Sequence, residues 1–192
     1  DETGAEADYG HVSGWDVSRI LDICCLFMGK GFNDDISGWD TARVTGMSRL
    51  FEDSSFNGVL SGWDTARVEY MNRLFKNTSF NGDIGGWDTS SLVELKSTFF
   101  DATAFDKPLG GWDTAKVTVL KYVFNDAAAF NQPDLARWDV GKAALGEFGS
   151  LFPGTALQDD PCSRRIVYDG WLPQQPDALS AHAGFQTFGS GG

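Results

Sequence analysis

Cysteine and histidine are the residues of this chain best suited to chemistry, and both are scarce. The chain has three cysteines and two histidines, and the histidines, His11 and His182, lie outside the repetitive part of the sequence. A catalytic thiol needs a neighbouring group that stabilises the thiolate. The sequence offers no nucleophile–base motif, phosphate-binding loop or dinucleotide fingerprint. We therefore predict that the protein is not an enzyme and that it uses no cofactor.

Tryptophan and aspartate recur as a pair, which could bind sugars through aromatic rings or calcium through carboxylates. The six pairs are spaced by 24, 24, 24, 25 and 26 residues: Trp15-Asp16, Trp39-Asp40, Trp63-Asp64, Trp87-Asp88, Trp112-Asp113 and Trp138-Asp139. Calcium takes about six to eight oxygen ligands, and each repeat offers one constant carboxylate. We predict instead a structural ladder, with the indoles in the core, beneath the glycine that precedes most of them, and the carboxylates capping helices. A glycan- or calcium-dependent adhesin is the alternative.

Other columns of the repeat indicate the elements that would hold these pairs. Aliphatic residues follow each Trp at helical spacing, as Val44, Met47 and Leu50 do, and predict a helix of about two turns. The segment FNGVLSGW, residues 56–63, predicts a turn and a short strand. A helix this short is marginal alone, so successive repeats must share one core. The predicted fold class is α/β, a leucine-rich-repeat-like solenoid over residues 12–152, in which each of about six coils has a short strand plus a short helix.

These columns resemble the BspA-type leucine-rich repeats of bacterial and protist surface proteins, most closely a mycoplasma-lipoprotein branch of unknown function. The family consensus has the form F-N-x-D-I-x-x-W-D-[VT]-S-x-V-x-x-M-x-x-M-F. Residues 32–51 read FNDDISGWDTARVTGMSRLF, and residues 56–75 read FNGVLSGWDTARVEYMNRLF. The resemblance implies a surface, adhesive or partner-binding protein, and it supplies no catalytic residue.

A mostly basic column lies three residues after each Asp. Its members are Arg19, Arg43, Arg67, Lys116 and Lys142, with Ser91 as the exception. We expect these side chains to pair with the Asp column on the surface, and they are candidates for contact with a partner.

The cysteines stand in columns that are polar elsewhere in the repeat, so we expect Cys24 and Cys25 on the outer face of the first helix. One of them could form a disulfide with Cys162 if the tail runs back along the molecule. The other could bond a partner chain, or all three could be free.

The ends of the chain depart from the repeat. Residues 1–11 form an acidic extension, and residues 153–192 hold a capping segment followed by an extended tail rich in Pro and Gly. Because large aromatic side chains are unfavourable in water, we predict that Trp171, Phe185 and Phe188 contact a neighbouring protein.

Charge narrows the class of partner. The net charge of −12 disfavours nucleic acid, and no stretch reaches the ~18 apolar residues of a membrane span. The predicted partners are other protein chains, met through the tail and the outer solenoid face. The acidity, the resemblance and a first residue, Asp1, without Met or a signal-like segment favour a processed protein that is secreted, on the cell surface or in an organelle lumen.

Overall fold

The computed structural model describes residues 10–144 and 148–175, and it contradicts the predicted α/β solenoid. Within these residues the helices are short 3-10 turns at Val12–Gly14, Pro133–Arg137 and Phe148–Ser150, and two α-helices, α1 at Ala156–Asp159 and α2 at Pro161–Trp171. Pairing of the β type in the described residues is limited to isolated parallel bridges, and no strand forms there. The leucine-rich-repeat architecture is therefore wrong for this chain.

The repeats are instead built from overlapping turns. We number them from their Trp residues: residues 15–38, 39–62, 63–86, 87–111 and 112–137 form repeats 1 to 5, and repeat 6 begins at Trp138. Each repeat contains an eight-residue segment, which we call the turn segment, at 22–29, 46–53, 70–77, 94–101 and 119–126. In repeat 2 the N–H groups of Leu50 and Glu52 each donate to the carbonyl three residues back. The whole segment is thus a run of tight turns.

Alternate N–H groups of each turn segment donate their hydrogen bonds to the next repeat instead of to their own. In repeat 2 the N–H groups of Met47, Arg49, Phe51 and Asp53 donate to the carbonyls of Tyr70, Asn72, Leu74 and Lys76, at 3.1, 2.8, 3.1 and 3.0 Å. The same four bonds join repeats 1 and 2, repeats 3 and 4, and repeats 4 and 5. These four N–H groups therefore point toward the C-terminal neighbour, whereas the N–H of Thr45, just before the turn segment, donates back to the Leu21 carbonyl of repeat 1 at 2.7 Å.

This geometry explains why the predicted helix does not form. An α-helix needs each N–H to bond the carbonyl four residues back, but those N–H groups are used between repeats. Arg49 and Asp53 also have φ of +61° and +58°, which is left-handed backbone that an L-residue adopts at a cost of about 1–2 kcal/mol. Val44, Met47 and Leu50 have helical spacing in the sequence although no helix forms. The turns place all three side chains in the core, where each is 0 % exposed.

The predicted strand fails for a different reason. Near residues 56–63 the repeats are joined by side chains in place of a backbone ladder. The N–H of Asn57 donates to the side-chain oxygen of Asn33 at 2.8 Å, and the Trp63 indole donates to the Ile36 carbonyl at 3.1 Å. A row of backbone bonds would define a strand, and these contacts do not supply one.

Aromatic columns fill the core. Trp39 and Trp63 are parallel with ring centres 6.2 Å apart, and Phe51 lies 5.7 Å from Phe75 in the next repeat. Such offset stacking adds about 0.5–1.5 kcal/mol per pair to the burial of ring area. The repeated rings therefore set the spacing between neighbouring repeats and join them into one continuous core.

Candidate interaction surfaces

The Trp column is internal and serves the stack itself. Trp39, Trp63, Trp87, Trp112 and Trp138 are at most 4 % exposed, and each indole N–H donates to a backbone carbonyl 27–29 residues earlier in the chain. Trp15 is half-buried and donates to the Gly10 carbonyl at 3.2 Å. These five buried rings present no flat face to a sugar.

At Gly14, Gly38, Gly62 and Gly86 the glycine before Trp has no packing role of the kind we predicted, whereas a Cβ at Gly111 would lie 3.3 Å from the Gly85 carbonyl oxygen. A Cβ at Gly38 or Gly62 would meet no atom within 4 Å. Close approach of the next repeat therefore does not require glycine at these positions, and the structure gives no account of why the residue recurs there.

The Asp column closes local turns. In every repeat an Asp carboxylate oxygen accepts the N–H two residues on, at 2.9–3.1 Å, from Asp16, Asp40, Asp64, Asp88, Asp113 and Asp139. The predicted helix caps are thus Asx turns, because no helix follows them. Hydrogen bonds from the Ser18 and Ser90 hydroxyls lower the pKa of Asp16 and Asp88 below the ordinary value. In residues 10–144 and 148–175 no three His, Cys, Asp or Glu side chains gather as a metal site.

Replacing Asp64 tests this role. Asp64→Ala removes the acceptor for the Ala66 N–H and is expected to cost about 0.5–1.5 kcal/mol. Asp64→Asn keeps an oxygen in the same place and is expected to stay close to wild type. Urea unfolding of the two variants separates the hydrogen bond from the charge: equal losses would mean that the negative charge matters instead.

Thr and Asn form two further ladders between repeats. The hydroxyls of Thr41, Thr65, Thr89 and Thr114 donate to the carbonyl of the next Asp in the column at 2.9–3.0 Å. The Asn33 and Asn57 side chains accept the N–H of the next Asn, and the ladder continues through Asn81, Asp106 and Asn131. The polar columns are therefore largely occupied by contacts within the stack.

The basic column is exposed, and the predicted pairing with Asp is absent. Arg19, Arg43, Arg67, Lys116 and Lys142 all lie on the surface. In the part of the chain that the structure describes, none of them forms an ion pair within 4.0 Å, because the Asp oxygens face the backbone. Arg19 and Lys116 only add to the lowering of the pKa of Asp16 and Asp88. Their role in binding stays a prediction.

The cysteines are all free in the structure, and the expected separation of repeat 1 from α2 does not favour the predicted intrachain bond to Cys162. Cys24 belongs to repeat 1, whereas Cys162 lies in α2, which packs on residues 133–137. Five repeat spacings of ~4.8 Å separate these ends by roughly 24 Å, and a disulfide needs Cα atoms within ~7 Å.

Cys24 is also poorly suited to nucleophilic chemistry. Its sulfur lies 2.8 Å from that of Cys25. Partial burial, helped by this hydrogen bond, raises the pKa of Cys24 to about 11. The thiol form, which is the weaker nucleophile, therefore dominates near neutral pH.

The structure contains a buried charge cluster that we did not predict from the sequence. The Glu52 side chain is 3 % exposed and forms ion pairs with Arg49, with Lys76 at 2.8 Å and with Arg73 at 3.9 Å. Burial alone would raise the pKa of Glu52, but hydrogen bonds from Lys76 and Arg49 lower it below the ordinary value. Glu52 and Lys76 are 24 residues apart, so they occupy the same position in successive repeats. This spacing was the feature of the sequence that could have predicted the ion pair.

The C-terminal end of the stack is closed by α2. Repeat 6 continues past residue 152, because Phe124 and Asp126 donate their N–H groups to Leu151 and Pro153 at 3.1 and 2.7 Å. Trp171 then takes the place of a seventh Trp: it is 0 % exposed, and its indole donates to the Leu135 carbonyl at 2.8 Å. Trp171 therefore does not lie in an extended arm. Phe185 and Phe188 lie outside the described residues.

Among residues 10–144 and 148–175, nothing covers the N-terminal end in the same way. Ile20 and Leu26 occupy core columns, yet they are 43 % and 41 % exposed, whereas Val44 and Leu50 in the same columns are 0 % exposed. We call this surface, formed by the Ile20 and Leu26 side chains and the outward carbonyls of turn segment 22–29, the open end.

Together these features define a repeat protein made of stacked turns, with a cap at one end. A family described as Mycoplasma protein of unknown function, DUF285, matches residues 3–93 and 74–160, and the chain belongs to this family. No curated protein and no solved structure shows significant similarity to it. No helix among the described residues is long and apolar enough to cross a membrane.

Proposed function

We propose that the protein is a non-catalytic protein–protein interaction or scaffold module, either on a cell surface or as an accessory subunit of a larger assembly. The observation that supports it most is the open end. A stack of repeats must cover both terminal faces of its core, and here Ile20 and Leu26 remain 43 % and 41 % exposed. Exposed apolar surface of this kind marks contact sites for other proteins.

Two other surfaces fit the same proposal. The exposed basic column could contact acidic groups of a partner, and its side chains are not held in ion pairs within the described residues. The resemblance to BspA-type surface proteins and the net charge of −12 support a secreted, surface or lumenal location. Contact through the basic column and a secreted, surface or lumenal location are therefore parts of the proposal.

The adhesin alternative loses its aromatic platform, since the indoles of repeats 2 to 6 are buried. A calcium form of it predicts metal-dependent melting. We expect an excess of EDTA to leave the melting temperature within about 1 °C of the untreated protein, because the Asp oxygens are held by backbone N–H groups. A larger fall would restore the calcium adhesin.

The size of the protein in its own cells tests the proposed function. Tagged full-length protein is compared by sedimentation in a gently prepared native extract and after purification. A larger species in the extract, from which 1 M salt or mild denaturant releases a monomer, is the expected result. The same monomer size in both samples would contradict an interaction or scaffold role.

A further inference from the structure

Cys24 and Cys25 are adjacent thiols whose sulfur atoms lie 2.8 Å apart. Cys24 is exposed, Cys25 is partly exposed, and neither forms a disulfide in the structure. Two thiols in contact at a surface can be oxidised together by exchange with a disulfide, because the second thiol attacks the mixed disulfide that the first one forms. The pair is therefore a candidate site for redox chemistry.

The turn segment fixes the backbone that holds the pair. Cys25 has φ of +63°, and the residue at the same position of the other four turn segments also has positive φ, between +56° and +61°. The N–H of Cys24 donates to the Asp22 carboxylate at 2.8 Å, and the N–H of Cys25 donates to the Ser48 carbonyl at 3.1 Å. The contact between the two sulfurs thus rests on a conformation that the chain repeats, and repeat 1 fills both positions with cysteine.

The two sulfurs are suited to different steps of an exchange. Partial burial raises the pKa of Cys24 to about 11, so Cys24 keeps its proton near neutral pH. Its S–H can then donate to a thiolate on Cys25, and a hydrogen bond to a charged acceptor is stronger than one between neutral groups. Cys25 is therefore the attacking sulfur, and Cys24 is the second sulfur, already held against it.

We propose that Cys24 and Cys25 form a reversible disulfide with each other by exchange with small-molecule disulfides of the glutathione class. The Cys25 thiolate attacks one sulfur of the small disulfide, which forms a mixed disulfide and releases a small thiolate. The Cys24 sulfur then attacks the Cys25 sulfur, so that the bond between the two cysteines forms and the second small thiolate leaves. The cysteines lose two electrons, the small disulfide gains them, and both thiol protons end on the released thiols.

Covalent geometry makes such a bond easy to reduce. The Cα atoms of adjacent residues are about 3.8 Å apart, whereas most disulfides join Cα atoms about 4.4–6.8 Å apart. A disulfide between Cys24 and Cys25 is therefore strained, and strained or exposed disulfides are the labile ones. The pair would respond to the balance of thiols and disulfides around the protein, and this role does not depend on the proposed function.

Mass spectrometry after reaction with glutathione disulfide tests the site. Full-length protein carrying Cys162→Ser is reduced, freed of reductant, mixed with glutathione disulfide without air, alkylated and digested with trypsin. Cleavage after Arg19 and Lys30 isolates peptide 20–30, which contains the pair. We expect this peptide to lose two hydrogen atoms and to carry neither glutathione nor an alkyl group, at least tenfold in excess over the glutathione adduct. A predominant adduct, or a pair that stays reduced and alkylated, would overturn the proposal.

Cys24→Ser and Cys25→Ser are the matched controls. Ser48 and Ser97 occupy the corresponding positions of other repeats, so the turn segment accommodates serine at both. Each variant keeps one thiol in the peptide, and we expect the peptide to carry glutathione or an alkyl group. Loss of two hydrogen atoms in either variant would mean that the product does not arise from the pair.

Reduction of the oxidised pair measures its reversibility. The oxidised protein is mixed with a secreted protein that has a structural disulfide, and both are titrated with reduced glutathione at a fixed concentration of glutathione disulfide. The pair is expected to be half reduced at a concentration of reduced glutathione at least tenfold lower than the reference disulfide requires. Reduction of both at the same concentration would mean a structural bond and would overturn the reversible site. Neither result bears on the sedimentation test of the proposed function.

Discussion

Replacing Trp171 with alanine is expected to destabilise the protein by about 3–5 kcal/mol, as the truncation of a buried tryptophan does. The ring is 0 % exposed and lies 5.9 Å from the Phe152 ring and 6.0 Å from the Phe148 ring. Its loss would also uncover the C-terminal end of the core. At roughly 2–4 °C per kcal/mol for a chain of this size, calorimetry should record a fall of about 6–20 °C in melting temperature.

Two further variants separate the ring from its hydrogen bond. Trp171→Phe keeps an aromatic ring but leaves the Leu135 carbonyl without its donor, so a cost of about 1–3 kcal/mol is expected. Leu172→Ala is the matched control. The Leu172 side chain is next to Trp171 in the sequence and is 45 % exposed, and substitutions on the surface usually change the free energy of unfolding by no more than about 0.5 kcal/mol. If Trp171→Ala were no worse than Leu172→Ala, α2 would not be the cap of the stack.

Glu52→Gln should produce the second-largest effect, and the effect should depend on pH. The variant leaves Arg49, Arg73 and Lys76 without the carboxylate they share. Removing one partner of a buried ion pair costs about 3–5 kcal/mol. Because the three cations are 29–43 % exposed, solvent screening reduces the expected loss to about 1–3 kcal/mol at pH 7.

The pH dependence follows from the lowered pKa of Glu52. A carboxylate whose pKa is lower in the folded than in the unfolded state stabilises the fold above the unfolded value, ~4.3 for Glu. This contribution is lost as the pH falls through the folded value. Urea unfolding should therefore separate wild type from Glu52→Gln at pH 7 and bring the two together in acid. Glu69→Gln is the control, and a constant difference down to low pH would contradict the account.

The sequence contained enough information for the repeat and its core, but not for the backbone that forms them. Val44, Met47 and Leu50 have the spacing of a helix face, and they are buried as that spacing implies. Side-chain periodicity does not reveal where the N–H groups donate. Arg49 and Asp53 adopt left-handed backbone without being glycine, so the usual sequence marker of such a turn is missing.

The sites that sequence reasoning missed depend on contacts between distant parts of the chain. Trp171 lies 33 residues after Trp138, outside the repeat spacing, and only α2 brings it to the Leu135 carbonyl. Glu52 stands in a column that is otherwise filled by Met28, Lys76, Phe100 and Asn125, so no repetition marks it.

Through-hydrogen-bond NMR couplings test most directly that a directional ladder joins the repeats. In the isotope-labelled full-length protein, the amide nitrogens of Met47, Arg49, Phe51 and Asp53 should couple to the carbonyl carbons of Tyr70, Asn72, Leu74 and Lys76. A helix in this segment would instead couple the same nitrogens to the carbonyls of Arg43, Thr45, Met47 and Arg49, four residues back. That second pattern would contradict the turn-built repeat.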